Sequence, residues 1–540
     1  MDDLICRIVA AAVCACFYLA ATAKLLGAMQ QSGYQGGKFL RWFFKKENTY
    51  IPRLLCWSVL SVVAATLVCV TFSFLEGNGA IVASALPFFF FCFLFCLADR
   101  KYALKVKTVP SGRVKRLGVA YVFLCACIAF IVISACSLLG VALAGQVEWV
   151  RSLRYLPVCF FPLLLPFILC LANAIMSIFE VARNKKFVKR AGQVLDETNI
   201  LRVGIVGSYG KTSVKNILKT LLAEGAEGGK IVATPASYNT PIGVAKTVMS
   251  EEFQGASVFL CEMGARKAGD IRELCELVKP DYIVFTGVCA QHIQTFGSEE
   301  NVLRAKCEAL ASTAKRVICA KSLKEKIEGL GISVELFEKC VFVEDAQAVE
   351  LSATQTSFTL TVGGEPTRVS TPLLGEAAVE NIAIAVRLCE ELGVSREAIE
   401  AGLAQVQPTE HRLQLIEANG AYILDDAYNC NVRGARIAID ALKRFSGKKF
   451  VVTPGIVETG VLEAKINGEL GELLADEAID RVILVGETQV KAVKDGYVAA
   501  GGDAEKLTVV NHLQKAQELL AEELRQGDCV LFLNDLPDVV

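Results

Sequence analysis

The residues Gly207 to Ser213 read G-S-Y-G-K-T-S and carry the most specific chemistry in a sequence of 540 residues. Gly207 and Gly210 let backbone N–H groups approach phosphate oxygens closely. Lys211 supplies a positive charge for the terminal phosphates, and Thr212 a hydroxyl for Mg²⁺. Ser208 and Ser213 complete the polar loop. The apolar stretch Arg202 to Val206 predicts a strand before it, and the pattern through Leu222 predicts a helix after it. A turn between strand and helix points the helix N-terminus at the anion. These features predict an ATP and Mg²⁺ site. The longer form of this loop carries Gly where Ile205 stands, so the loop is the shortened G-x-x-G-K-T-S.

Other residues suit the same chemistry. Glu262 ends the apolar run V-F-L-C-E-M-G, at the edge where α/β sheets bind ligands. A hard carboxylate there is a candidate Mg²⁺ ligand. His292, one of three histidines, follows the apolar run 282–288 and is a candidate second ligand. Lys306 lies on a predicted helix after Gly297, and Asn381 is expected to begin a helix rich in Ala and Ile.

The elements that must position these residues divide the chain. Five apolar stretches, at about 4–23, 54–75, 79–98, 118–144 and 155–179, are each long enough to cross a hydrocarbon core of roughly 30 Å. Lys and Arg concentrate in 30–53, 99–117 and after 182, and are sparse in the two short loops between. Basic loops favour the cytoplasm, which predicts an outside N-terminus and a cytoplasmic C-terminal two thirds. Glu180 is expected to meet water at the cytoplasmic end of the fifth span. Phe39, Trp42, Phe43 and Phe44 stand among basic residues, as in an interfacial segment or a membrane-border anchor. The expected organisation is an α-helical membrane domain over 1–182, a linker over 183–200, a P-loop parallel-sheet α/β domain over 201–410 and a Rossmann-like domain over 411–540. A hairpin is predicted around Gly363 and Gly364.

A split chain explains why 53% of residues are hydrophobic while 21% are charged. The net charge of −1 leaves no global basic field, and no nucleic-acid partner is expected. The 21 cysteines show no C-x-x-C pairing and are expected to be small apolar packers rather than a zinc ribbon or disulfide scaffold.

The shortened loop resembles that of the Mur ligases, which build the peptide stem of the bacterial cell wall. The resemblance continues in order: T-P-A-S-Y-N-T-P-I-G from Thr234, the E-M-G at Glu262, A-Q-H then F-G-S ending at Ser298, N-V-L-R-A-K from Asn301, L-L-G-E-A-A-V-E-N from Leu373, E-H-R-L from Glu410 and D-D-A-Y-N from Asp425. It covers roughly 200–540, and its E-M-G and D-x-Y-N forms look most like the branch that adds D-alanyl-D-alanine. The resemblance implies a lysine carbamylated by CO₂ at Lys306, helping to place a second metal ion. It implies an adenine contact from Asn381, a phosphate contact from Arg412 and a ribose contact from Asp426. Asn239, Thr240, Tyr428 and Asn429 are the implied substrate contacts. It also implies the reaction: ATP activates a carboxylate as an acyl phosphate, and an amine displaces phosphate to form an amide.

The sequence departs from the family in places. Ala377 stands where a His often precedes the adenine-contacting Asn. After the D-x-Y-N come Cys430, Asn431 and Val432, and the chain ends N-D-L-P-D from Asn534, without the usual Lys/Ser-bearing turn. Both later changes fall where the amine should sit. The spans occupy the place of the family's UDP-sugar-gripping domain, so a lipid-linked or membrane-proximal carboxylate is expected. The expected location is a bacterial-type cell membrane, multi-pass, with cytoplasmic catalytic domains and the lipid bilayer as a partner. Competing readings are a poly-γ-glutamate or folylpolyglutamate-type synthetase, a P-loop NTPase coupled to its membrane domain, and a non-catalytic scaffold.

Overall fold

The computed structural model describes residues 2–45, 50–71, 90, 93–94, 97, 108–143, 145–146, 160–225, 229–235, 238–289, 293–428, 430–457, 459, 462–486 and 489–533. The chain falls into two compact units, 1–183 and 184–537.

The first unit is helical: α1 (Asp2–Gln31), α2 (Gly36–Phe43), α3 (Tyr50–Thr71), α4 (Gly112–Ala142) and the start of α5 (Leu165–Glu197). Among the described residues two helical stretches, Gly112–Leu139 and Leu165–Glu197, are long and apolar enough to cross a membrane. They overlap the predicted spans 118–144 and 155–179. The stretch 4–23 lies inside α1, 54–75 overlaps α3, and most of 79–98 lies outside the described residues. In α2, Phe39 and Phe43 turn inward and are buried in the unit's own core. Glu180 corrects its expectation. It is buried, and its carboxylate accepts from Arg116 Nε and Arg183 Nη2, each at 2.7 Å. Ion pairing takes the place of water.

The second unit begins with the last turns of α5, which run through the stretch read as a linker. A six-stranded sheet follows, of β1 (Leu201–Val206), β2 (Lys230–Ala233), β3 (Ala256–Met263), β4 (Tyr282–Phe285), β5 (Arg316–Cys319) and β6 (Cys340–Phe342). Its order is β2-β3-β1-β4-β5-β6 and every pairing is parallel. In β3 the last six residues are all buried, as expected of a strand covered on both faces. β1 continues into α6 (Lys211–Gly225). α7 (Pro241–Val248) opens with Thr240, whose hydroxyl accepts from Gly243 N, and with Pro241 in its first turn. α8 (Asp270–Val278) and α9 (Glu299–Cys307) follow, the latter capped by Ser298.

β7 (Gln347–Leu351), β8 (Thr356–Val362) and β9 (Glu365–Thr371) form a small antiparallel sheet, with the β8–β9 hairpin turning at Gly363 and Gly364. α10 (Glu376–Glu391) and α11 (Arg396–Leu403) close this half. α10 starts five residues before Asn381, so Asn381 sits in its second turn and does not begin it.

The last part is a second six-stranded sheet: β10 (Gln414–Ala418), β11 (Ala421–Asp426), β12 (Lys449–Thr453), β13 (Arg481–Val485), β14 (Leu507–Val510) and β15 (Cys529–Leu533), in the order β10-β11-β15-β12-β13-β14. Only β10 is antiparallel to its neighbour. Helices α12 (Val432–Leu442), α13 (Glu463–Leu474), α14 (Val490–Ala499) and α15 (Leu513–Glu523) connect its strands.

Candidate active site

Strand order places the site. In the first sheet β1 lies between β3 and β4: the connection after β1 runs to β2 on one side, and the connection after β3 crosses to β4 on the other. Such a switch point leaves a crevice for a ligand. Register brings three chain segments to that crevice: Ile205 pairs with Glu262, and Val206 with both Met263 and Phe285. The Gly207–Ser213 loop, Glu262 and Thr286 therefore share one edge.

The loop's two glycines are sterically required. A Cβ on Gly207 would lie 2.0 Å from Thr286 Oγ1. Gly210 has φ +76°, and a Cβ there would lie 2.6 Å from Asn381 Oδ1. Asn381 thus packs directly on the loop. Lys211 Nζ donates to Gly207 O at 2.8 Å and to Ser208 O at 3.3 Å, folding its side chain back over the loop. Burial lowers the proton affinity of this ammonium; Glu262 opposes the shift and Arg412 adds to it.

Glu262 Oε2 accepts from Thr212 Oγ1 at 3.0 Å and from Lys215 Nζ at 3.3 Å. Lys215 also donates to Thr234 O at 2.8 Å, and Thr234 Oγ1 accepts from Glu262 N. Burial works to raise the Glu262 carboxyl, but Lys211, Lys215 and the Thr212 hydroxyl outweigh it and hold the group below its ordinary range. It is ionised at neutral pH. Lys306 is buried, and its Nζ donates to Gly207 O at 3.0 Å. Burial first, then Lys211, brings its pKa down to about 7.

The last domain contributes to the same place. Arg412 stacks on Tyr428, with its guanidinium carbon 4.1 Å from the ring centroid, and it feels both Asp426 and Glu262. Asp426 Oδ1 accepts from Leu413 N at 3.1 Å, and burial pushes this carboxyl up to about 6 against the pull of Arg412. Asn239 packs against Gly264, where a Cβ would lie 2.8 Å from its Cγ, and its carbonyl accepts from Gly264 N. Thr240 caps α7 beside it. His292 and Asn429 lie outside the described residues.

Family comparison agrees with this arrangement. The profile of the Mur ligase middle domain matches residues 205–389, and that described as Mur ligase, glutamate ligase domain matches 411–534. Together they span more than half of the chain. The chain belongs to the Mur ligase family. This Mur ligase is 27% identical over 356 residues to the UDP-N-acetylmuramoyl-tripeptide–D-alanyl-D-alanine ligase of Bacillus subtilis, covering 63% of this chain and 74% of that protein. The Escherichia coli enzyme of the same name is 28% identical over 333 residues, covering 59% and 71%. Among solved structures, the fold superposes on MurF from Acinetobacter baumannii with a TM-score of 0.58 at 23% identity, over 65% of this chain and 77% of that one. The MurF ligase of Thermotoga maritima in complex with ADP superposes with a TM-score of 0.56 at 24% identity, over 65% and 80%. As a Mur ligase, the chain is an ATP-dependent, ADP-forming acid–amino-acid ligase that uses Mg²⁺.

The residues fit that metal. Mg²⁺ is usually bound through one or two carboxylates together with substrate phosphates. The described residues hold no cluster of three or more His, Cys, Asp or Glu side chains, but they do hold an ionised carboxylate bonded to the loop hydroxyl.

Sequence reasoning overlooked Lys215, Thr286 and Arg433. Lys215 had a readable signal: it stands four residues after Lys211, on the same face of α6. Thr286 follows an apolar strand and had none. Arg433 lies beyond the quoted motifs and reaches the loop only through the fold.

Proposed function

We propose that this Mur ligase is a membrane-anchored peptide ligase of cell-wall precursor synthesis, joining a carboxylate to the amine of D-alanyl-D-alanine or a similar dipeptide. One observation carries the catalytic part: the Glu262 carboxylate at the end of β3 is bonded to Thr212 of the phosphate loop, with Lys211 and Lys306 at the same loop. The amine is suggested by the relatives, which are named for D-alanyl-D-alanine.

The reaction phosphorylates the carboxylate at the expense of ATP, and the amine nitrogen then displaces phosphate, losing a proton and leaving an amide with ADP and phosphate as products. Thr212 and Glu262 would hold Mg²⁺, which when bound neutralises phosphate charge. Lys211 and the loop N–H groups bind the terminal phosphates in the proposed mechanism, and placement and charge neutralisation carry the catalysis. Asn381 would contact adenine, Asp426 the ribose and Arg412 the phosphates. Asn239, Thr240, Tyr428 and Asn429 are assigned to the acid and amine substrates. His292 is assigned to the second metal site. Lys306 is assigned as a carbamylated lysine; burial lowers its pKa to about 7, so a substantial share of the amine is unprotonated and able to react with CO₂ at neutral pH.

Residues 1–182 form the anchor in this reading, followed by the linker 183–200, the ATP-binding domain 201–410 and the C-terminal domain 411–540. Support comes from apolar exposure. Among the described residues, most of the exposed large apolar side chains lie in 1–183, including Val119, Phe123, Ile131, Leu138 and Phe179. The Gly112–Leu139 stretch is mostly uncovered by protein, as a lipid-facing helix would be. A lipid-linked acid presented at the cytoplasmic face suits such an enzyme.

The test is direct. Purified protein receives ATP, Mg²⁺, candidate acids in free and lipid-linked form, and candidate amines. Amine-dependent ADP release with a new amide by mass spectrometry is expected. ATP hydrolysis indifferent to every amine but stimulated by a transported solute would sink the ligase reading.

A further inference from the structure

We propose that Arg433 is a positioning residue that couples the C-terminal domain to the phosphate loop, so that nucleotide is gripped tightly only when that domain is seated. The inference rests on reading Gly207–Ser213 as the nucleotide site. Arg433 stands in the first turn of α12, whose N-terminus is capped by the Asn431 side chain accepting from Gly434 N at 2.9 Å. That cap fixes the direction in which the helix leaves β11, and Arg433 with it.

From there Arg433 makes two contacts with the ATP-binding half. Its Nη1 donates to the Tyr209 hydroxyl, and its guanidinium carbon lies 4.7 Å from the Tyr209 ring centroid. Its Nη2 lies 3.6 Å from Glu380 Oε2. A planar guanidinium can serve a ring face and a carboxylate together, which an ammonium does less well.

Both partners are placed to pass this contact on. Tyr209 is the loop residue immediately before Gly210. Its ring fills the space over Gly287, where a Cβ would lie 2.3 Å from the ring, and its carbonyl accepts from Thr286 Oγ1. The loop is thus pinned between the end of β4 and Arg433. Glu380 precedes Asn381 on α10, and its Oε1 accepts from Ser322 Oγ at 3.1 Å. Asn381 in turn packs on Gly210. Arg433 therefore touches, through one residue each, the loop that binds phosphate and the helix assigned to adenine. Withdrawal of the C-terminal domain would free Tyr209 and Glu380 together.

The test uses full-length protein in detergent or nanodiscs and a titration with Mg²⁺ and a non-hydrolysable ATP analogue. Arg433→Met, Tyr209→Phe, Glu380→Gln and the Arg433→Met/Tyr209→Phe double variant are compared with the parent, with thermal melts to show that each folds. Arg433→Met is expected to weaken analogue binding about tenfold at unchanged Tm, and the double variant to lose little beyond the worse single one, because partners in one network are not additive. Arg433→Lys, which keeps the charge, should recover part of the loss. In turnover assays the KM for ATP should rise more than kcat falls. Unchanged affinity in Arg433→Met, full additivity with Tyr209→Phe, or a rise confined to the KM of the amine would each overturn the proposal. Lys211→Ala is measured in parallel. If it binds the analogue like the parent, the nucleotide-site reading fails, and that failure is separate from any result at Arg433.

Discussion

Glu262 shows how far a single residue could be read in advance. Its type and its place at the end of an apolar run marked it as a metal-side carboxylate. The run did not reveal Lys215, which is buried against it and shares the same oxygen. Long-range pairs of this kind are set by register, which a lone sequence does not print. The pair makes a divided prediction. Glu262→Gln should lower turnover by about a hundredfold or more, as expected when a group holding transition-state charge is lost. It should also destabilise the fold by up to about 3 kcal/mol, because Lys215 keeps its charge without its carboxylate. The Glu262→Gln/Lys215→Met double variant should regain stability but no activity, checked by thermal melts beside the ADP-release assay. Asp426 gives a prediction in pH. Its carboxyl ordinarily titrates near 3.8 and in the fold near 6. Between those values the folded chain holds the extra proton, so this group's contribution to stability falls as pH rises through the window, and its penalty is complete above it. Asp426→Asn should therefore flatten the fall of Tm between pH 4 and 6 and gain up to roughly 3 kcal/mol relative to the parent at pH 7. It should bind nucleotide less well if the ribose contact holds. A parallel pH profile in the two proteins would remove Asp426 as its source.

Elements were more legible than contacts. The alternation of apolar runs and helical patterns announced two α/β halves, and the glycine pair at 363–364 announced the β8–β9 hairpin. What escaped was the edges: β10, half-exposed and antiparallel, and β14, a short edge strand, carry too little apolar signal to stand out. Helix packing was equally hidden. α13 and α14 approach so closely that a Cβ on Gly471 would lie 2.1 Å from Val493 O, and one on Gly496 would lie 2.1 Å from Gly468 O. These atoms are backbone and cannot turn aside. Gly471→Ala should push the helices apart and lower stability by about 1–3 kcal/mol, as over-packing does elsewhere. Gly468→Ala, whose Cβ would meet nothing within 4 Å, is the control and should leave the melting curve nearly unchanged. Equal losses in both would mean that helix separation is not the cause. Since β12 and β13 precede these two helices, the Gly471 variant should also soften the sheet that ends in Asp426, visible as faster amide exchange there.

At the scale of the whole molecule, composition spoke first and the two units answer it differently. From residue 184 onward the chain covers its apolar side chains with its own layers, and α6, α10 and the central sheet share one core. Residues 1–183 bury a core of their own but also leave many outside: Leu55, Val59, Val63 and Leu67 recur along α3 at helical spacing and are exposed, as are Phe123, Ile131 and Leu138 on α4. Water would penalise such surface at about 25 cal/mol per Å², and in the anchoring proposal lipid covers it without needing directional partners. Charge is paired rather than spread in this unit: Glu180 holds Arg116, near the start of α4, and Arg183. The anchoring proposal therefore makes a physical prediction. Full-length protein should sediment with membranes and stay there after washing with high salt and with alkaline carbonate, since screening weakens charge attraction but not apolar burial. Release by salt alone would make the contact electrostatic and peripheral; release by carbonate would remove the spans altogether. Orientation is tested in the same membranes. A protease added to sealed, right-side-out vesicles should leave the ATP-binding half intact, and it should digest that half once the vesicles are inverted, because the basic stretches 30–53 and 99–117 are expected on the side where ATP is found.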